Sequence, residues 1–253
     1  LAQAVSAFLC IRRLSKMKDL FELKPSYLKM SRVHVMNIVR FGAPSGVTQA
    51  IMSMAMLIVQ SLTNSFGEQF IAANVIVMRV DGFAMLPNFS FGTTMTTYAG
   101  QNIGAGNQER VVKGSRQGLL LGVGTSAVIT LAILIFGKHL MAIFTPTEEL
   151  VELSMNMMRI LAVGYIAMAV TQCLSGVMRG AGDTMTPMWI SVVTTILIRV
   201  PLAYGMVWMT KSEQFPQGRR ECIFISLLIS WVLGALITSI FYKRGKWKGK
   251  AVK

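Results

Sequence analysis

The sequence predicts an all-α fold, a polytopic membrane protein built as a bundle of six transmembrane helices. Apolar residues make up 53% of the chain and charged residues only 14%, whereas soluble domains carry about 25% charged residues. The apolar residues collect in six runs, each near the roughly 20 residues that a helix needs to span a bilayer. None of these runs alternates strictly between apolar and polar residues, as the strands of a membrane barrel do.

The segments that flank these runs are short or basic. Residues 1–11 are apolar and predict the end of a preceding transmembrane helix. Residues 12–40 hold eight Lys and Arg and predict a cytoplasmic amphipathic connection on the membrane surface. The six-helix region is predicted at 41–242 and a basic cytoplasmic tail at 243–253. The spans are expected at about 41–63, 70–98, 115–137, 150–178, 186–209 and 222–242.

The distribution of basic residues predicts the orientation of the bundle. Segments on one side of the six spans hold 18 Lys and Arg, and those on the other side hold 4. Cytoplasmic loops of membrane proteins are enriched in these residues. We therefore expect a multi-pass protein of the cell membrane, the bacterial inner membrane, with both ends of the six-helix region in the cytoplasm.

Polar residues recur at helical spacing in the first, second, fourth and fifth spans. In the second span, three of them lie seven residues apart, and two helical turns bring a residue back to within about 20° of its start. Each stripe predicts either a polar cavity or hydrogen bonds that hold helices together. The candidate site residues taken from these stripes are Gln49, Ser53, Gln60, Asn74, Asp81, Asn88, Tyr165, Gln172 and Arg199.

Asp81 is the acidic residue that the sequence places within a membrane core. A carboxylate at that depth is costly unless it faces protein or water. Pro87 lies six residues further on and removes a backbone donor, which loosens the helix. Asp81 is therefore a candidate site for a proton or a cation. The alternative is a structural ion pair with Arg79 or Arg199.

The remaining features exclude several classes of site. The glycine-rich stretch TYAGQNIGAGN lacks the Lys-Ser/Thr of a phosphate-binding loop, so we interpret it as a turn where the second span ends. Two distant histidines and three isolated cysteines predict no metal site and no catalytic constellation, hence no enzyme. The basic residues lie between apolar spans, which argues against a nucleic-acid partner. Three tryptophans near span ends are expected to be interfacial anchors: Trp189, Trp208 and Trp247.

Several motifs resemble the second half of multidrug and toxic compound extrusion (MATE) transporters. The first span opens with RFGAPSGVTQ, and the second span with its exit reads RVDGFAMLPNFSFGTTMTTYAGQNIGAGN. The fourth span ends in LSGVMRGAGDTMTP, and the fifth contains RVPLAYG. The motif residues are Pro44, Pro87, Gln101, Asn102, Gly104, Gly106, Arg179, Gly180, Gly182, Asp183 and Pro187.

The resemblance implies one lobe of a transporter with twelve helices in two lobes. The N-terminal six-helix lobe would be the missing partner, and the lipid bilayer the surrounding medium. The resemblance also implies a multidrug efflux antiporter that exports organic cations or other toxic small molecules by alternating access. It would exchange them for H⁺ or Na⁺ and need no cofactor. In this interpretation Asp81 exchanges the coupling ion, and the other stripe residues line the substrate cavity.

The chain also departs from the family pattern. Some members place a Glu in the first helix of this lobe and an Asp in the fourth. Here the first span has Met and Gln in that region, and the fourth has no acid between Glu152 and Asp183. Either Asp81 serves this lobe, or coupling resides in the other one. A flippase for lipid-linked saccharides and a half-length, non-transporting membrane subunit remain as alternatives.

Overall fold

The computed structural model describes residues 2–16 and 30–249. Residues 17–29, which form much of the predicted surface connection, and 250–253 of the predicted tail lie outside the described residues. The chain forms two compact units, Leu1–Ala43 and Pro44–Lys253.

The first unit contains α1 (Ala2–Lys16) and the beginning of α2 (Arg32–Asn64). α1 continues past the boundary that the sequence predicts at residue 11. Arg13 and Lys16 lie in its last turn, where positive charge interacts favourably with the helix dipole. Its side chains from residue 3 onward are all exposed.

The second unit confirms the predicted six-helix membrane fold. After α2 come α3 (Glu68–Gly104), α4 (Gln108–Ala142) and α5 (Glu148–Gly180). The fifth span, Met185–Met209, is one continuous rod built from α6 (Met185–Val192), a π-helical segment (Val193–Arg199) and α7 (Val200–Met209). α8 (Glu221–Lys243) and a short 3₁₀ helix (Lys246–Gly249) follow. Six of these helices are long and apolar enough to cross a membrane.

α5 lies at the centre of the bundle because it packs against α3, α4 and α8. Its buried side chains include Met157, Met158, Leu161 and Tyr165, which join the larger of two apolar clusters. A helix that is apolar around most of its circumference is expected at such a central position.

Small residues allow α3 and α5 to approach closely. A Cβ atom added at Gly176 would collide with the carbonyl oxygen of Gly92, and one added at Gly180 would collide with that of Thr96. A Cβ at Gly92 would lie 3.3 Å from the Gln172 carbonyl oxygen. Contacts of this kind between small residues are the usual basis of tight helix packing in membranes.

The two glycine-rich motifs form matching turns. GAGN (104–107) ends α3 and GAGD (180–183) ends α5. The third residue of each turn has a positive φ, 75° at Gly106 and 85° at Gly182. The N–H of Asn107 donates to Asn102 O at 2.8 Å, and that of Asp183 donates to Met178 O at 2.9 Å. Both are Schellman ends, in which glycine adopts the left-handed conformation at little cost.

The π-helical segment precedes a proline. Pro201 has no N–H to donate to the preceding turn, so the regular hydrogen-bond ladder cannot continue through it. The backbone adopts the wider π-helical form over the residues that precede Pro201, and this form ends at Arg199. π-helical turns are rare and occur frequently at functional sites.

α2 borders the fifth span and is mostly exposed. The hydroxyl of Tyr204 donates to Ile58 O at 3.1 Å. The buried residues of α2 are Pro44, Ala55, Val59 and Thr63. Much of its remaining surface is therefore free to meet lipid or another protein.

The end of the chain differs from the sequence-based expectation at one residue. Trp247 is only 2% exposed and packs with Val111, Val177 and Ala181, so it is not an interfacial anchor. Its indole N–H donates to Tyr242 O at 2.9 Å, and the two rings stack. Trp189 and Trp208 are exposed, as expected.

Candidate functional site

Asp81 lies on the face of α3 that meets α5. The hydroxyl of Tyr165 donates a hydrogen bond of 2.9 Å to its Oδ1 atom. Tyr165 is completely buried, whereas Asp81 is half-buried. The carboxylate is thus held from one side by a fixed donor while part of it stays accessible. The hydrogen bond reduces the cost of burying a charged carboxylate among apolar side chains.

The two arginines considered as structural partners of Asp81 form no ion pair with it. The Arg79 guanidinium lies over the ring of Phe144, 5.8 Å from its centroid. Arg199 is near enough for an electrostatic interaction with Asp81. Both arginines are in the described part of the chain, and neither brings a nitrogen within 4.0 Å of an Asp81 oxygen. Asp81 is therefore bound by a neutral donor, with one positive charge at longer range.

Arg199 has an incomplete set of hydrogen bonds. Its Nε atom is buried and has no hydrogen-bond partner among the described residues. A buried donor without an acceptor is unfavourable. Arg199 also ends the π-helical segment, so an irregular backbone and an unsatisfied cation coincide beside Asp81.

Asn88 lies seven residues after Asp81 on α3 and connects three helices. Its amide nitrogen donates to Tyr165 O at 3.3 Å, and its Oδ1 atom accepts from the Ser126 hydroxyl at 2.6 Å. Asn88 and Ser126 are each 1% exposed. The network links α3, α4 and α5 around the residue that holds Asp81.

The polar stripes meet only in part. Asp81, Asn88 and Tyr165 are joined by hydrogen bonds, and Arg199 lies nearby. Gln172 borders Gly92 on α3, while the Asn74 amide contacts Met78 Sδ at 3.6 Å within α3.

Among the described residues, the candidates of α2 make no hydrogen bond to this group. Gln49 and Ser53 are exposed, and the Gln60 amide donates to Asn64 within the same helix at 2.9 Å. Whether these residues contact a substrate stays a prediction, as does the assignment of the whole cavity.

Ser126 was missed by the sequence reasoning. α4 carries buried small or hydroxyl residues four positions apart, at Gly122, Ser126 and Thr130. Thr130 likewise reaches across to α5, donating to Ala162 O at 2.7 Å. This spacing was the available signal, because residues four apart share one helix face.

The family-motif residues at 101–106 and 179–187 lie at the ends of α3 and α5 and in the turns that follow them. Gly106 and Gly182 supply the left-handed conformations, and Gly180 the close contact with α3. The Asp183 carboxylate accepts from the Thr186 hydroxyl at 2.7 Å and from the Thr186 backbone N–H at 3.3 Å, at the start of α6. Asn102 donates to Tyr98 O at 2.8 Å within α3. Pro44 and Pro187 are buried, and Pro87 lies inside α3 beside Asn88.

Two further features bear on other kinds of site. The described residues contain no group of three or more His, Cys, Asp and Glu that could hold a metal ion. A cavity of about 420 Å³ lies at the loop between α7 and α8, lined by residues such as Phe66, Phe215 and Arg219. None of the predicted cavity residues lines it.

Comparison with known proteins gives a consistent family. The MatE family model matches residues 44–205. A probable multidrug resistance protein NorM of Thermotoga maritima is 25% identical over 235 residues, which are 93% of this chain and 49% of that protein. A probable multidrug resistance protein YoeA of Bacillus subtilis is 26% identical over 187 residues, 74% of this chain and 40% of that protein. The chain thus spans about half the length of the curated relatives it matches.

Solved structures share the fold. An outward-facing conformation of a multidrug resistance MATE family transporter of the MOP superfamily matches with a TM-score of 0.84 at 19% identity. The match covers 98% of this chain and 54% of that one. An inward-facing conformation of such a transporter gives a TM-score of 0.72 over 88% of this chain and 50% of that one.

Proposed function

The chain belongs to the MatE family, and from this premise we propose that it forms the C-terminal lobe of a cation-coupled multidrug efflux antiporter. The family match over residues 44–205 supports transport as the activity. The match to about half the length of each relative supports one six-helix lobe that works with a second. The cargo is an organic cation or another toxic small molecule, and alternating access moves it outward.

Asp81 is the coupling residue in this proposal. The observation that supports this role is a half-buried carboxylate that accepts a hydrogen bond from Tyr165. Within the described ranges, no arginine nitrogen lies within 4.0 Å of it. Such a carboxylate binds a proton or Na⁺ when it is free and loses its negative charge when it is occupied. Ionisable groups at membrane depth mark ion pathways for this reason.

The orientation of the lobe follows from its basic end. The Gln108 amide donates to Lys248 O at 3.0 Å, so the start of α4 and the chain after α8 meet at one end of the bundle. This end carries Arg110, Lys113 and Lys248. We place it in the cytoplasm of a bacterial cell, where the positive-inside rule favours it.

The test is the variant Asp81→Asn in the full-length transporter, reconstituted in proteoliposomes. Removal of the ionisable group while its shape is kept should reduce export of ethidium driven by a pH or Na⁺ gradient by about tenfold or more. Expression and membrane insertion should not change. Gradient-driven export at the normal rate in Asp81→Asn would move coupling to the other lobe.

Glu152→Gln is the matched control. Glu152 lies near the start of α5, and its side chain is 66% exposed. Its Oε1 atom is 3.8 Å from Lys138 Nζ of α4. Its neutralisation removes one carboxylate from the same lobe without touching the proposed site, so export should stay at the normal level.

The same vesicles separate the two alternatives. A flippase would move a pyrophosphate-linked lipid and leave ethidium inside the vesicles. The feature that favours this alternative is the buried Nε of Arg199, which has no hydrogen-bond partner among the described residues and could bind such an anion. A non-transporting subunit would move neither probe.

A further inference from the structure

The hydroxyl of Tyr165 has two acceptors within reach. Its oxygen lies 2.9 Å from Asp81 Oδ1 and 3.3 Å from Met158 Sδ. A phenol carries one hydrogen, so it can donate to one of them at a time. The side chain is completely buried, which leaves little room for water to serve as a third partner.

The state of Asp81 decides which acceptor is used. An ionised carboxylate has no hydrogen and accepts strongly, so the Tyr165 hydrogen points to Asp81. A protonated carboxyl group has its own hydrogen, which it can donate to the Tyr165 oxygen. The Tyr165 hydrogen then turns to Met158, whose thioether is a weak acceptor. The proton that arrives at Asp81 comes from solvent, and no other group has to lose one.

The backbone of Tyr165 is held by Asn88 and its ring by Trp231, so the hydroxyl hydrogen is the part that can turn between the two acceptors. Asn88 donates to the Tyr165 carbonyl, and Ser126 in turn donates to Asn88. The Trp231 ring lies against Tyr165, with 6.0 Å between the centroids. A change in the protonation of Asp81 therefore rotates the O–H bond of Tyr165.

Other ionisable groups near Asp81 are few. Arg199, at the end of the π-helical segment, interacts with it electrostatically, and Tyr165 of α5 contacts it directly. Arg79, on the same helix, lies over Phe144. Among the described residues, Tyr165 is thus the ionisable group that touches the carboxylate.

We propose that Tyr165 is a positioning residue that sets how tightly Asp81 holds its proton or cation, by switching its hydroxyl hydrogen between Asp81 and Met158. This inference rests on the proposed coupling role of Asp81. Tyr165 was expected from the sequence to line a substrate cavity, whereas its burial and its bond to Asp81 assign it a different task.

The test is an infrared pH titration of the Asp81 carboxyl group in the full-length transporter, with the Asp81→Asn variant identifying the band. Tyr165→Phe removes the donor to the carboxylate, so the titration midpoint should move to higher pH by about one unit. Met158→Leu removes the alternative acceptor and keeps the volume, so the midpoint should move to lower pH by roughly a few tenths of a unit. Opposite signs in two near-isosteric variants are not expected from loosened packing.

Tyr204→Phe is the control, because its hydroxyl bonds to α2 and not to Asp81. An unchanged midpoint in Tyr165→Phe, or shifts of the same sign in both variants, overturns the inference. Ethidium export by each variant is measured in parallel. If Asp81→Asn exports normally while the midpoints shift as stated, the coupling proposal fails and the hydroxyl switch at Asp81 stands.

Discussion

At the scale of single residues, Asn88 is the side chain on which the surroundings of Asp81 depend. It is buried and its side chain has three hydrogen-bond partners: the Tyr165 carbonyl, the Ser126 hydroxyl and, more weakly, Met85 Sδ at 3.8 Å. A buried amide needs such partners, because each unmade bond leaves a desolvated polar atom. Ser126 therefore acts on the site through Asn88, from a third helix, α4.

Ser126→Ala should destabilise the protein. The substitution leaves the Asn88 Oδ1 atom buried without its donor, which costs about 1 kcal/mol within a membrane protein. Thermal unfolding in detergent should show a midpoint lowered by a few degrees. Ser90→Ala is the comparison, because the Ser90 hydroxyl is exposed and bonds only to Leu86 O in its own helix. Equal melting of the two variants would contradict a structural role for the Asn88 network.

The sequence singled out Asp81 as a candidate site residue but did not indicate its hydrogen-bond partner. Asp81 stood out because a carboxylate in an apolar span is rare. Its partner was sought among the arginines, since charge complementarity can be read from composition. Tyr165 lies 84 residues away on another helix, and no local pattern predicts which side chains meet across a bundle. For the same reason the stripe of α2 was grouped with Asp81, although α2 lies beside the fifth span.

At the scale of elements, the contact between α3 and α5 brings Asp81 to Tyr165. It is possible because glycines on both helices let the backbones meet, so Gly176 has no room for a side chain. The GAGN and GAGD turns then end both helices at the same end of the bundle. These features connect the family motifs to the site: they set the distance between the two helices that carry it.

Gly176→Ala tests this contact. The added methyl group would press on the Gly92 carbonyl, and overpacking of this kind costs about 1–3 kcal/mol. We expect a lower unfolding midpoint together with impaired export, because the α3–α5 distance increases. Gly124→Ala is the matched control, since a Cβ there meets nothing within 4 Å and alanine favours the helix. If the two variants behave alike, the packing of these backbones is not limiting.

The elements themselves were largely predictable. Each predicted span lies within one of the observed membrane-length helices, and each helix begins before its predicted span. The spans were predictable because length and hydropathy decide which segments cross a bilayer. The π-helical turn before Pro201 and the burial of Trp247 were not predictable. The π-helical turn depends on how the backbone rearranges where Pro201 removes a hydrogen bond. The burial of Trp247 depends on a surface that residues of α4 and α5 form together.

At the scale of the whole molecule, the orientation in the membrane determines what each end of the bundle can do. The proposed function needs Asp81 to exchange with both sides in turn, while the basic end with its two glycine turns stays in the cytoplasm. The loop between α7 and α8, with its 420 Å³ cavity, would then face outward. Reversal of the bundle would place eighteen Lys and Arg outside, against the positive-inside rule.

Cysteine labelling of intact cells tests this orientation. Glu109 and Glu213 are exposed and lie at opposite ends of the bundle. Each is replaced by cysteine in a full-length protein in which Cys10, the exposed native cysteine, is serine; Cys173 and Cys222 are buried. A membrane-impermeant maleimide should label Glu213→Cys in intact cells and Glu109→Cys only after permeabilisation. The reverse pattern would place the glycine turns outside, and Asp81 would then have to load and release its ion in the opposite sense.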